Sequence, residues 1–240
     1  MDESTARSMD APDELIELLN LSDRREPAVV DIVVWVVRGM MEGRLSPGQD
    51  LNSVELANSV GTSRTPVREA LALLESQGLV EMRARKRPRM AAFSLNEVRE
   101  VFFLRAQLMS SLARLAVERA TDDELVRLGS IVDSLRKYAA ENDDDHYRVA
   151  HFRFFDVIVE ISGNDTAREI LNSLFLRTLS QRRKLSQPGR LAESLHFAEL
   201  VLEAFQRRDG ELVALLVRRS IEATLAAIER GNAARTERPS

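Results

Sequence analysis

Four residues near the start of one short segment, Ser63, Arg64, Thr65 and Arg68, have the types and spacing to read a nucleic acid. An arginine presents a flat fork of donors that can pair in two places with guanine O6 and N7 in the major groove. Hydroxyls and the free N–H groups of a helix start hold phosphates. A second cationic stretch, RARKRPR over residues 83–89, centres on Arg85, Lys86 and Arg87 and suits a phosphate or minor-groove contact. A solvated basic loop is the plainer alternative for that stretch.

The first group needs a helix that projects from a surface, and residues 53–80 provide for one. Leu56, Ala57 and Val60 form the apolar side of a short helix, and Gly61 can take the positive φ of a tight turn. Thr62 and Ser63 are placed to cap the next helix through their hydroxyls, and Pro66 falls in its first turn, where a missing N–H costs little. Val67, Leu71 and Leu74 repeat at helical spacing and turn the opposite face, with its arginines, outward. Gly78 falls where a helix ends. Residues 79–82 and 90–93 can pair as a hairpin that carries the basic stretch at its tip.

The net charge is −4, the wrong sign for a DNA binder if charge were spread evenly. It is not: between Ser53 and Phe93 seven basic residues face four acidic ones. Beyond a Debye length of about 8 Å the remote acidic groups are largely screened. There is no cysteine, which excludes disulfides and thiolate-bound zinc and suits a reducing compartment. No apolar run approaches the ~18 residues that span a bilayer, and the acidic N-terminus lacks a signal-peptide layout. A soluble, cytoplasmic protein is the expectation.

Sparse glycine and aromatics, with abundant helix formers, predict a mainly helical protein. Residues 1–26 read as a mobile tail. The segment AVVDIVVWVVRGMM, 28–41, is apolar around most of a helical circumference, although its β-branched content suits a strand equally. From the helix-start signal SLNE at 94–97 the pattern predicts helices over 95–120, 122–142, 144–162, 165–187, 190–208 and 210–231, with a disordered end after them. The domains are then 27–94, a winged helix-turn-helix, and 95–231, an all-α six-helix bundle that would serve ligand binding and dimerisation. Residues 232–240 form a tail.

The string GTSRTPVREAL, with LESQGLVE after it, resembles the recognition-helix signature of the GntR family of bacterial transcription regulators. The second half resembles the helical FCD effector domain of the FadR-type branch through FLRAQL, FFDVIVEISGN and LHFAELVLEAFQRRDGE. Six helices suit the VanR-like subgroup. The resemblance covers residues 29–228 and implies that 28–41 is a buried helix. It also implies glycine in the wing, which this chain lacks.

Many relatives hold a Zn, Ni or Mn type ion through one aspartate and three histidines, with open positions for a carboxylate effector. The resemblance puts those four positions at His151, Phe155, His196 and Ser220. Two imidazoles, a phenyl ring and a hydroxyl make a poor site, so no tightly held metal and no cofactor is expected, with weak divalent binding through His151 and His196 left open. The resemblance also implies that Arg105 faces the pocket, where it grips a carboxylate or makes an ion pair. Phe102, Phe103, Phe152, Phe154 and Phe155 either line an apolar cavity or simply pack.

The reading is a homodimeric regulator, more a repressor than an activator, that binds a palindromic operator in double-stranded DNA and answers to a small-molecule effector, a carboxylate metabolite. Two alternatives differ in the second domain: a constitutive DNA binder with a vestigial pocket, and a metal-dependent enzyme using His151 and His196. No nucleophile and base at catalytic spacing, and no glycine-rich phosphate loop, support an enzyme.

Overall fold

The computed structural model describes residues 26–178 and 189–236. Among them are nine helices and a two-stranded sheet: α1 (Pro27–Glu42), α2 (Ser53–Ser59), α3 (Arg64–Ser76), β1 (Val80–Glu81), β2 (Arg89–Met90), α4 (Leu95–Arg119), α5 (Asp122–Glu141), α6 (Asp144–Ser162), α7 (Asp165–Thr178), α8 (Arg190–Gln206) and α9 (Gly210–Thr236). The mainly helical architecture is the expected one. Two units divide the chain. One holds the described residues up to Val98 with Asn172–Thr178; the other holds Arg99–Leu171 and the described residues from Gly189 onward. The N-terminal tail and residues 179–187 of the fourth long helix lie outside the described residues.

In the first unit, α1 is a helix despite its β-branched content, because Val29, Ile32, Val33, Val36 and Val37 are all fully buried and burial outweighs propensity. Val67, Ala70, Leu71 and Leu74 form the buried stripe of α3. Gly61 takes φ 65° at the turn between α2 and α3, and Gly78 takes φ 71° after α3. There Leu79 N–H reaches back to the Leu74 carbonyl at 2.9 Å, closing the helix end.

The hairpin pairs Val80 with Met90 and Glu81 with Arg89, so its strands are shorter than 79–82 and 90–93. A third segment that the sequence did not signal supports it. Gly48 N–H donates to the Met90 carbonyl at 2.9 Å, Met90 N–H to Gln49 at 2.8 Å and Leu51 N–H to Pro88 at 2.7 Å.

In the second unit, Leu128, Val132 and Leu135 of α5 and Phe154, Val157 and Ile158 of α6 are fully buried, as are Val201 and Phe205 of α8 and Val213 and Val217 of α9. The starts of α4, whose cap belongs to the first unit, and of α5 use reciprocal caps. Glu97 N–H donates to Ser94 Oγ at 3.2 Å and Ser94 N–H to the Glu97 carboxylate at 2.8 Å. Thr121 and Glu124 repeat the arrangement at 2.7 and 3.3 Å. At the α8–α9 turn the left-handed residue is Arg208 (φ 57°), whose guanidinium donates to the Ala120 carbonyl. Gly210 serves close approach instead, since a Cβ there would lie 3.2 Å from Arg114 Cγ. Helix α9 runs to Thr236, past the expected end at 231, because its last residues include good helix formers such as Ala233 and Arg235.

Candidate nucleic-acid interface and bundle site

Packing of the buried stripe of α3 leaves Ser63, Arg64, Thr65 and Arg68 exposed. Neither Arg64 nor Arg68 forms an ion pair among the described residues, so both forks are open to a base edge. The expected cap differs. Ser63 occupies the N-cap position with extended backbone (ψ 176°), but its hydroxyl makes no cap bond. By contrast, Asn52 does cap α2, accepting from Val54 N–H at 3.0 Å. Ser63 is exposed and the first N–H groups of α3 receive no cap from its hydroxyl.

The five basic residues of the wing divide into two groups. Arg83 and Arg89 both donate to the Glu81 carboxylate, at 2.8 and 2.9 Å. The bond from Arg89 is the main reason that Glu81 ionises below the usual carboxylate range. Arg85, Lys86 and Arg87 are exposed and form no ion pair among the described residues. Arg85 sits at φ 60°, the left-handed conformation that glycine adopts most easily. The tip keeps its turn by holding an arginine in a conformation that an L side chain adopts at a cost.

In the bundle the expected site residues come from four helices. His151, on α6, stacks on Tyr147 at 6.0 Å between ring centroids and meets Phe155 edge-on at 5.0 Å. Ser220, on α9, is buried, and its carbonyl accepts from Thr224 Oγ1 at 2.9 Å. His196 is exposed: the buried face of α8 runs through Arg190, Ser194, Ala198, Val201 and Phe205, and His196 lies off it. Arg105, on α4, stands over the Phe102 ring at 5.2 Å, and burial lowers its pKa to about 10, which leaves it charged. Of the phenylalanines, Phe102 and Phe154 are buried in the core, whereas Phe103 is 63 % exposed and lines no interior cavity.

These side chains do not fit a metal. An imidazole packed between a phenol and a phenyl ring, a serine and an exposed histidine give no convergent donor set, and among the described residues no group of three or more His, Asp or Glu is placed to hold an ion. Sequence reasoning missed other residues. Arg190 is a buried charge, donating to Thr224 Oγ1 at 2.5 Å and to Glu193 at 3.3 Å. Tyr147, also buried, donates to the Leu191 carbonyl at 3.3 Å, and burial pushes its pKa up to about 12. The available signals were an arginine opening a helix, where the dipole disfavours a cation, and a tyrosine one turn before His151.

A paired-helix reader, a basic hairpin beside it and a helical bundle define a winged helix-turn-helix regulator. Residues 36–88 match the description "Bacterial regulatory proteins, gntR family", and residues 100–223 match the FCD domain. The chain belongs to the GntR family, in its FCD-containing, FadR-type branch, and is a DNA-binding transcription regulator with an effector domain. It is 32 % identical over 163 residues to the transcriptional regulator LutR of Bacillus subtilis, covering 60 % of this chain and 73 % of that one. The Nta operon transcriptional regulator of Aminobacter aminovorans is 30 % identical over 187 residues, covering 71 % and 80 %. The structure of McbR/YncC from E. coli shares the fold, with a TM-score of 0.75 at 22 % identity over 86 % of this chain and 99 % of that one. No described helix is long and apolar enough to cross a membrane.

Proposed function

We propose that this chain is a cytoplasmic, homodimeric repressor that binds a palindromic operator and releases it when a small carboxylate occupies the helical unit. Each subunit places Ser63, Arg64, Thr65 and Arg68 in a major groove while Arg85, Lys86 and Arg87 grip the flanking backbone. The observation that carries the reading is the pairing pattern. Within the reader and wing, Arg64, Arg68, Arg85, Lys86 and Arg87 form no carboxylate pair among the described residues, whereas Arg83 and Arg89 share Glu81, and a charge left unpaired beside an open helix start is placed for phosphate and base.

Two-fold symmetry of the protein requires two-fold symmetry of the site. An effector that binds better to the arrangement with misaligned readers weakens operator binding by that difference in affinity. His151, Phe155, Ser220 and Arg105 remain the effector-side residues taken from relatives; His196 does not join them, because its side chain is exposed.

The experiment is selection of duplexes from a random pool by the full-length protein, followed by sizing of the complex. Expected is an inverted repeat bound by two chains. Recovery of no preferred duplex at moderate salt would overturn the reading.

A constitutive DNA binder is the second reading, favoured by the way Tyr147 and Phe155 close on His151. Operator binding that no metabolite changes would select it.

A further inference from the structure

Helix α8 opens on a buried cation. Arg190 is its first residue, follows Gly189 in the left-handed conformation (φ 78°), and is 8 % exposed. The N-terminus of a helix carries partial positive charge, so a guanidinium there is disfavoured by the backbone dipole as well as by the loss of water. Its carboxylate neighbour, Glu193, stands 3.3 Å away with 44 % of its side chain in solvent, where water weakens the pair. Arg230 adds a like charge nearby. Thr224 Oγ1 accepts from the guanidinium at 2.5 Å and gives its own proton to the Ser220 carbonyl, so it orients the fork without neutralising it.

The groups around this cation are those of a binding site more than of a core. Tyr147 of α6 is 2 % exposed and donates to the carbonyl of Leu191, the residue after Arg190, and Ser194 of α8 is buried one turn further on. His151 extends the same face of α6 by one turn. Three helices thus bring hydroxyls and aromatic rings to one under-compensated positive charge. A single negative charge with two coplanar oxygens would complete it, and a guanidinium fork matches that shape.

We infer that Arg190 is the anchor for a small monocarboxylate inside the bundle, gripped directly by the guanidinium with no metal ion between them. This rests on the effector reading above and moves the site of recognition to a residue outside the positions taken from relatives. One half-compensated cation flanked by rings and hydroxyls suits a monocarboxylate better than a phosphate dianion.

The test uses the full-length protein in EDTA at fixed ionic strength, with acetate, lactate, benzoate, inorganic phosphate and neutral glucose as probes. Two readouts are followed: the thermal midpoint and the anisotropy of a labelled duplex obtained by selection. Expected is a raised midpoint and weakened duplex binding with at least one of the three carboxylates, and neither effect with phosphate. Arg190→Gln should weaken that carboxylate by about 30-fold or more, and Thr224→Val by about 3- to 10-fold, as loss of charged and neutral hydrogen bonds implies. Arg219→Gln, at an exposed arginine of α9 paired only with Glu222, should leave it within about 3-fold. Should Arg190→Gln not fold, Arg190→Lys keeps the charge and removes the fork, and the same weakening is expected.

A carboxylate response unchanged in the Arg190 variants, one that requires added divalent metal, or one matched by phosphate overturns the anchor and leaves the effector reading standing. A response of duplex binding to glucose and to no carboxylate does the same. If no probe changes duplex binding, the anchor and the effector reading fall together.

Discussion

Glu81 and Arg89 face each other across the wing hairpin as a register pair, and their side chains meet at 2.9 Å, with Arg83 on the same carboxylate. One acid therefore holds two cations away from any phosphate. Glu81→Gln should release both. Duplex binding should tighten without regard to sequence, and the slope of log affinity against log salt should steepen by up to ~2, since each phosphate contact contributes ~0.9. Anisotropy titrations between 50 and 300 mM salt, on the order of the usual working range, read this directly. An unchanged slope would place Arg83 and Arg89 out of reach of DNA.

Arg64→Ala and Arg68→Ala should behave differently. Both side chains leave the same exposed face of α3, so each loss should cost about 1–3 kcal/mol at one base pair and relax preference there. Competition with single-base operator variants checks it, the folded fraction being monitored by circular dichroism.

Arg85 combines a charge with a left-handed backbone at φ 60°. Arg85→Gly separates the two roles. Relief of strain should raise stability by roughly 1 kcal/mol, while loss of the charge should weaken all duplexes alike and make the salt slope shallower by ~1. Denaturant unfolding and salt titration on one preparation measure both. A fall in stability would mean that the arginine side chain holds the turn.

Arg127 and Glu160 link α5 to α6 through two bonds of 3.0 Å. The Arg127 bond is the leading cause that lowers the Glu160 pKa below its ordinary value near 4.5. With the folded value below the unfolded one, the unfolded chain binds more protons in between. The stabilisation is therefore complete above the ordinary glutamate range and is lost as pH falls through the lowered value. Both side chains are about two-fifths exposed, so the effect should stay within about 1 kcal/mol. Comparing wild type with Glu160→Gln by thermal unfolding should show a constant gap from pH 6 to 8, on the order of one unit or more above both values, that closes below about 4.5. A gap that persists in acid would rule the ion pair out as its source.

Much of the DNA-binding half was legible because its signals are local. Gly61 and Gly78 mark turns by backbone need, Val67, Leu71 and Leu74 mark a face by period, and Ser94 with Glu97 marks a helix start by reciprocal bonding. What was not legible depends on partners distant in sequence. Nothing near Arg83 or Arg89 says that Glu81 will occupy both. The support given to Met90 by Gly48 and Gln49 spans some forty residues. In the bundle, helical phase decided the matter: His196 stands two residues from Ala198, which is enough to carry it off the buried face. Arg190 escaped notice for the opposite reason, since an arginine is read as surface until a structure shows it enclosed.

Ser63 stands at the head of α3 and withholds its hydroxyl from the helix that it begins. In the proposed docking an oxygen from the operator backbone supplies an acceptor to that turn, so the target would become a structural part of its own reader. Part of the energy of docking then goes into firming the first turn, and amide exchange at Thr65 and Val67 should slow when the duplex arrives.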